Sequence, residues 1–121
     1  MELSIIIVSF NTKEIIEKCL SSLKKNFQKY PLNYEVIVVD NSSNDGSKEM
    51  LADLEKDWPD FKLISCKKNL GYGKANNLGV TKAKGKFILY LNSDAIVSDI
   101  NFSDIIHLFE GHKDIGALTV K

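Results

Sequence analysis

The chain has 121 residues, with 16 basic and 16 acidic groups and a formal net charge of zero. Hydrophobic residues at 44% and charged residues at 26% are an ordinary balance for one globular domain, and the global charge names no partner. Every basic residue is Lys, so the planar, bidentate Arg contacts on which specific base readout leans are missing, and no nucleic-acid partner is expected.

The first apolar run, "LSIIIVSF" at 3–10, is continuous and β-branched, which predicts a strand buried on both faces. "NTKE" follows, where Asn11 is placed to cap a helix with Glu14 reaching back. Ile15, Ile16, Cys19, Leu20, Leu23 and Phe27 then share one helical face. "YEVIVVDN" at 34–41 is a second buried strand and "SSNDGS" a polar turn. Met50, Leu51, Leu54 and Trp58 mark a second helix, closed by Pro59. "FKLISC" at 61–66 is a shorter third strand. "NLGYGKANNLG" is a Gly/Asn loop that turns helical near Lys74. "KFILYL" at 86–91 is a fourth strand, Phe102, Ile105, Ile106 and Phe109 mark another helix, and "IGALTV" at 115–120 reads as a fifth strand. This alternation predicts an α/β domain: a mainly parallel sheet of about five strands with helices on both faces.

Cys19 and Cys66 have no metal-ligand spacing and no CxxC, so each reads as a small buried hydrophobe. There is no signal peptide and no apolar stretch near membrane-spanning length, which points to a reducing, cytoplasmic setting. From Phe61 to Ser93 there is no acid, while Lys62, Lys67, Lys68, Lys74, Lys82, Lys84 and Lys86 fall there. Most of these suit a solvated face; Lys74 is set apart by its place in the Gly/Asn loop.

Ligands of open parallel sheets bind at the C-terminal strand ends, near a switch in strand order. Polar groups gather at those ends: Ser9-Phe10-Asn11, Asp40-Asn41-Ser42-Ser43 and Asn92-Ser93-Asp94, with the Gly/Asn loop after the third strand. "GYGKAN" starts like GxGxxG, but Asn76 takes the third Gly position and the run follows the wrong strand. "GVTKAKGKF" is one residue too long for a P-loop, and Phe87 stands where Ser or Thr would bind magnesium. His107 and His112 lie five apart without HExxH and read as surface residues.

Taken in order, "SIIIVSFN", "VIVVDNSSNDGS" and "NLGYGKANNLGVTKAKGKFILYLNSDA" resemble the nucleotide-sugar-binding half of family-2 glycosyltransferases with the GT-A fold. The last stretch is most similar to the rhamnosyltransferase-like branch. The resemblance covers essentially the whole chain. It implies that residues 1–121 form a single nucleotide-diphospho-sugar-binding domain, the N-terminal half of a longer inverting glycosyltransferase domain. Val8, Ser9 and Phe10 would border nucleobase and ribose, and Asp40 and Asn41 would sit at the base-reading position. Gly71 would let the backbone approach the nucleotide, with Tyr72 and Lys74 facing it. Asn92, Ser93 and Asp94 would take the place of the family's DxD motif. Asn92 and Ser93 would contact hydroxyls, and Asp94 would hold a divalent cation, Mg²⁺ or Mn²⁺, with ligand phosphates and water completing the shell.

The same resemblance implies transfer from a nucleoside-diphosphate sugar to a saccharide or lipid-linked hydroxyl, in surface polysaccharide synthesis. The place would be cytoplasmic, or peripheral at the inner face of a membrane. No catalytic base is assigned here; the family's base lies in the acceptor half. A later strand would flank the fourth, and without it that edge could pair with a second copy. A non-catalytic binding or assembly module of the same fold is the alternative. A receiver-like signalling domain fits less well, since it needs an acidic pair after the first strand and Asp after the third.

Overall fold

The computed structural model describes residues 1–112. The chain alternates β1 (Leu3–Ser9), α1 (Lys13–Lys29), β2 (Tyr34–Asp40), α2 (Ser47–Asp57), β3 (Phe61–Ser65), α3 (Tyr72–Lys82), β4 (Phe87–Tyr90) and α4 (Phe102–Gly111). The strands form one 4-stranded sheet in the order β3-β2-β1-β4, and every pairing is parallel. The fifth strand expected at 115–120 lies outside the described residues.

β1 and β2 are central and deeply buried, as their unbroken β-branched runs require. They pair in register from Leu3↔Tyr34 to Ser9↔Asp40, so their two polar ends finish level. β4 pairs β1 from Leu3↔Phe87 to Ile6↔Tyr90, and Leu91 N–H still donates to Ile6 O at 3.0 Å.

Alternation along the strands sorts two cores. Ile5, Ile7, Val36 and Val38 face α1, α2 and α4 through Ile16, Leu20, Leu23, Leu51, Phe102 and Ile106. Ile6, Ile37 and Val39 face α3 through Ala75, with Leu78 and Val80 beside it. Among the described residues helices therefore cover both faces, three on one and one on the other.

The strand order turns back between β1 and β4, so the switch point lies there. In a receiver-like order β1 would lie between β2 and β3; here β2 separates β1 from β3, which removes that alternative.

Two local expectations are corrected. Asn11 is not the cap of α1: it adopts φ 51°, in the left-handed region, and Thr12 is the N-cap residue. The Asn11 side chain is instead drawn across to the next loop, where Oδ1 accepts from Asn44 N at 2.8 Å. Ile15 belongs to the apolar stripe of α1 by spacing but is 48% exposed and lines the hollow at the strand ends instead of the core.

At the opposite, N-terminal end of the sheet, Glu35 is 1% exposed. Its Oε2 accepts from Ser4 Oγ and from Lys84 N, both at 2.6 Å, and Lys62 Nζ lies 3.1 Å from Oε1. Gly85 N donates to Ser4 Oγ at 2.7 Å. The approach there is so close that a Cβ on Gly85 would meet Ser4 N at 2.5 Å. This knot ties the α3–β4 turn to β1 and β2.

Candidate active site at the strand ends

An open cleft of about 580 Å³ sits at the switch point. It is lined by Val8, Phe10, Thr12, Ile15, Asn41, Asn69, Gly71, Tyr72, Asn92, Ser93 and Asp94. The ends of β1, β2 and β4 and the turn into α3 thus contribute to one hollow. A larger hollow of about 780 Å³ runs along α1 against Ile96 and Asp99. It borders none of the polar strand ends, so size alone does not make it the site.

Val8 and Phe10 form the β1 wall, with Phe10 47% exposed. Ser9 points elsewhere: it is buried, and its Oγ shares a 3.0 Å hydrogen bond with Thr12 Oγ1, which fixes the β1–α1 turn. That turn is tied to the β2–α2 loop as well. Asn11 N donates to Ser43 Oγ at 2.9 Å and Lys13 N to Asp45 Oδ2 at 3.1 Å.

Asp40 is fully buried and does not line the cleft. One carboxylate oxygen, Oδ2, accepts from Ser43 N at 3.0 Å and shapes the loop after β2; Oδ1 has no partner among the described residues. Asn41 is 3% exposed and holds the facing loop: Oδ1 accepts from Leu70 N at 2.8 Å and Nδ2 donates to Gly71 O at 3.3 Å. Asn69 Oδ1 completes the turn by accepting from Gly71 N at 2.8 Å.

Gly71 has φ 82° and ψ 166°, a conformation open in practice only to glycine. It brings backbone to the cleft rim and starts α3. Tyr72 follows, 56% exposed, and its hydroxyl donates to Asn92 Oδ1 at 3.3 Å. Lys74 is exposed and lies outside the cleft lining.

Asn92, Ser93 and Asp94 all line the cleft. They form a turn in which Ala95 N donates to Asn92 O at 3.1 Å. Asn92 and Asp94 are exposed, and Asp94 enters no ion pair among the described residues. Beneath the turn lies Cys19, whose Sγ approaches Asn92 O at 3.8 Å. Burial, and next the Asp94 charge, push the Cys19 thiol up to about 11, so it is an inert thiol.

Among the described residues no group of three or more His, Cys, Asp and Glu could hold a metal alone. Asp94, the one carboxylate in the lining, instead suits a hard cation whose remaining ligands are phosphate oxygens and water. The donor set therefore fits Mg²⁺ or Mn²⁺ as a site shared with a bound diphosphate.

Thr12, Ile15 and Asn69 were not among the residues expected at the site. Asn69-x-Gly71 is an Asx-turn pattern that could have found Asn69. For Thr12 and Ile15 the sequence carries a helix-start signal only.

Comparisons with known proteins agree with the fold. The profile described as Glycosyl transferase family 2 matches residues 4–120. The glycosyltransferase AglE of Haloferax volcanii is 34% identical over 92 residues, 75% of this chain and 30% of that protein. The poly-β-1,6-N-acetyl-D-glucosamine synthase of Staphylococcus epidermidis is 27% identical over 117 residues, 97% of this chain and 27% of that one. This chain thus spans less than a third of either relative's length. The crystal structure of S. aureus TarS 1-349 in complex with UDP-GlcNAc superposes with a TM-score of 0.78 at 26% identity, covering 93% of this chain and 32% of that one. Among the described residues no helix is long and apolar enough to cross a membrane.

Proposed function

The chain belongs to glycosyl transferase family 2, and from that premise we propose that the cleft between β1 and β4 binds a nucleoside-diphosphate sugar for transfer to a hydroxyl acceptor with inversion. One observation carries the reading. The ends of three strands and the Gly71 turn converge on one cleft whose lining holds a single exposed carboxylate, Asp94. A cleft for a neutral ligand has no need of that acid beside a tight backbone approach; a diphosphate with its counter-cation does.

Val8 and Phe10 give the nucleoside an apolar wall, and Asn41 keeps the Gly71 backbone at the rim. Asp40 and Asn41 border the base-reading position. Asn41 has committed both ends of its amide to the Gly71 loop, and Asp40 lies buried behind the lining with Oδ1 unpaired among the described residues, so it would reach a base only if the loop after β2 shifts. Asn92 and Ser93 offer hydrogen bonds to sugar or ribose hydroxyls, and Asp94 is the residue that would hold the cation. A divalent cation bound there supplies positive charge to the departing diphosphate. Lys74, exposed at the start of α3, is close enough in sequence to Tyr72 to serve as an outlying phosphate charge. The base that accepts the acceptor's proton is assigned to none of the described residues. Similarity to a poly-β-1,6-N-acetyl-D-glucosamine synthase and to a poly(ribitol-phosphate) β-glucosyltransferase favours a polymeric acceptor, as in surface polysaccharide synthesis.

Titration with UDP, dTDP and GDP, each with Mn²⁺ and with EDTA, tests the proposal; dTDP is included because of the rhamnosyltransferase-like run at 69–94. Binding of one nucleotide that tightens with Mn²⁺ is expected. No binding of any of the three in Mn²⁺ overturns it.

A further inference from the structure

After Leu91 the chain leaves the sheet, and among the described residues the 92–101 segment has no strand to pair with. Buried backbone groups need partners wherever they lie. Here they are supplied by side chains of one helix. Cys19 Sγ reaches Asn92 O at 3.8 Å, and Val97 N donates to Ser22 Oγ at 2.9 Å. Asn26 makes a paired contact like that of a neighbouring strand: Nδ2 donates to Ile100 O at 2.8 Å, and Oδ1 accepts from Ile100 N at 2.9 Å. Lys29 closes the series on Asp99.

Residues 19, 22, 26 and 29 form one stripe of α1, since neighbours three and four apart share a helix face. Asn26 is 4% exposed, so its amide has no water to fall back on. Ser22 Oγ is also spoken for on its other side, donating to Cys19 O at 2.7 Å. The two contacts nearest Asp94 in sequence, at 92 and 97, bracket it.

We propose that Ser22 and Asn26 are positioning residues: they hold the 92–100 segment against α1 and so set where Asp94 stands in the cleft. The role rests on the donor-binding reading above. α1 begins at the cleft rim, and the segment descends along it from Asn92 to Ile100. A loss of grip at 97 or 100 lets the Asn92–Ala95 turn move while Val8, Phe10 and the Gly71 loop stay in place, since Asn41 and Thr12 fix those separately.

The test measures the affinity of the full chain for UDP, dTDP and GDP in Mn²⁺ and in EDTA. It compares wild type, Ser22→Ala, Ser22→Thr and Asn26→Leu, with thermal unfolding run on each. Ser22→Ala and Asn26→Leu are expected to keep the EDTA affinity within about twofold and to lose about tenfold of the gain given by Mn²⁺, the size seen when groups supporting a metal ligand are removed. Ser22→Thr, which keeps the hydroxyl, should restore the gain. If Asn26→Leu fails to fold, Ser22→Ala carries the test as the milder change. An undiminished manganese gain in Ser22→Ala, or an equal loss with and without metal, overturns the positioning role. A wild type that binds a nucleotide without any manganese gain overturns this role and leaves the donor-binding reading standing, whereas no binding of any of the three in Mn²⁺ overturns that reading as well.

Discussion

The Tyr72 hydroxyl donates to Asn92 Oδ1 across 3.3 Å, joining the first turn of α3 to the turn after β4. Both partners line the cleft, and both are exposed. A ligand seated beside Asp94 would therefore lie next to Tyr72 as well.

Separate effects follow for the ring and the hydroxyl of Tyr72. An exposed hydrogen bond adds about 1 kcal/mol or less to the fold, so Tyr72→Phe should leave the melting temperature within error. Its nucleotide affinity should fall by less than about fivefold, within the same energy. Tyr72→Ala also removes the ring from the cleft wall and should cost about tenfold or more. Calorimetric titration of the two variants checks the order, and a larger loss in Tyr72→Phe would contradict it.

Asp94→Asn keeps size and hydrogen bonding but removes the charge. Nucleotide binding in EDTA should be unchanged or slightly stronger, as a negative group near the diphosphate is gone. The gain with Mn²⁺ should drop by about tenfold or more. An Asp94→Asn protein with a wild-type manganese gain would remove Asp94 from the metal role.

Glu35 sets the expected acid sensitivity. Burial pushes its carboxyl up, but Ser4 Oγ, the Lys84 N–H and Lys62 together outweigh that, and its pKa lies below the ordinary value of 4.5. A carboxyl depressed in the folded state stabilises the fold above its unfolded pKa. That contribution is lost as pH falls through the folded value. Stability should thus decline below about pH 4.5, and more shallowly in Glu35→Gln. Glu35→Ala, which orphans the Ser4 hydroxyl and the Lys84 N–H, should cost about 3 kcal/mol at neutral pH. Urea unfolding between pH 3 and 7 would measure both.

Gly85→Ala tests the same knot through packing. The added Cβ would stand 2.5 Å from Ser4 N and 2.6 Å from Leu3 C, both backbone atoms that cannot turn aside. A loss of about 2 kcal/mol or more is expected. An equally stable variant would show that the α3–β4 turn can retreat.

The parts of this fold that were legible in the sequence are those encoded locally. The runs at 3–10 and 34–41 could only be doubly buried strands, and the alternation of strand and helix fixed a parallel sheet. The turn at Asn92-Ser93-Asp94 was legible for the same reason, since a strand delivers its last residues to its own end. What escaped was long-range. Nothing near Glu35 announces that Ser4 and Lys84 will meet it, and nothing near Asn26 announces Ile100. Ile15 has the spacing of a core residue, but it faces the cleft that the three strand ends form. Asn11 has the composition of a cap, but the loop after β2 claims its side chain.

The pairing of β1 with both neighbours also orders events in time. β1 meets β2 across one helix, yet meets β4 only from residue 3 to residue 87. Closing the longer loop costs more chain entropy before any contact rewards it. On a ribosome β1, α1 and β2 have emerged long before β4 exists. The apolar wall of the cleft is therefore assembled first and its acidic side last. Pulse-labelled hydrogen exchange during refolding should show the β1–β2 amides protected before Leu91. Until that last step the chain is a partly built sheet without its cleft, so under the proposed function nucleotide binding would report completed folding.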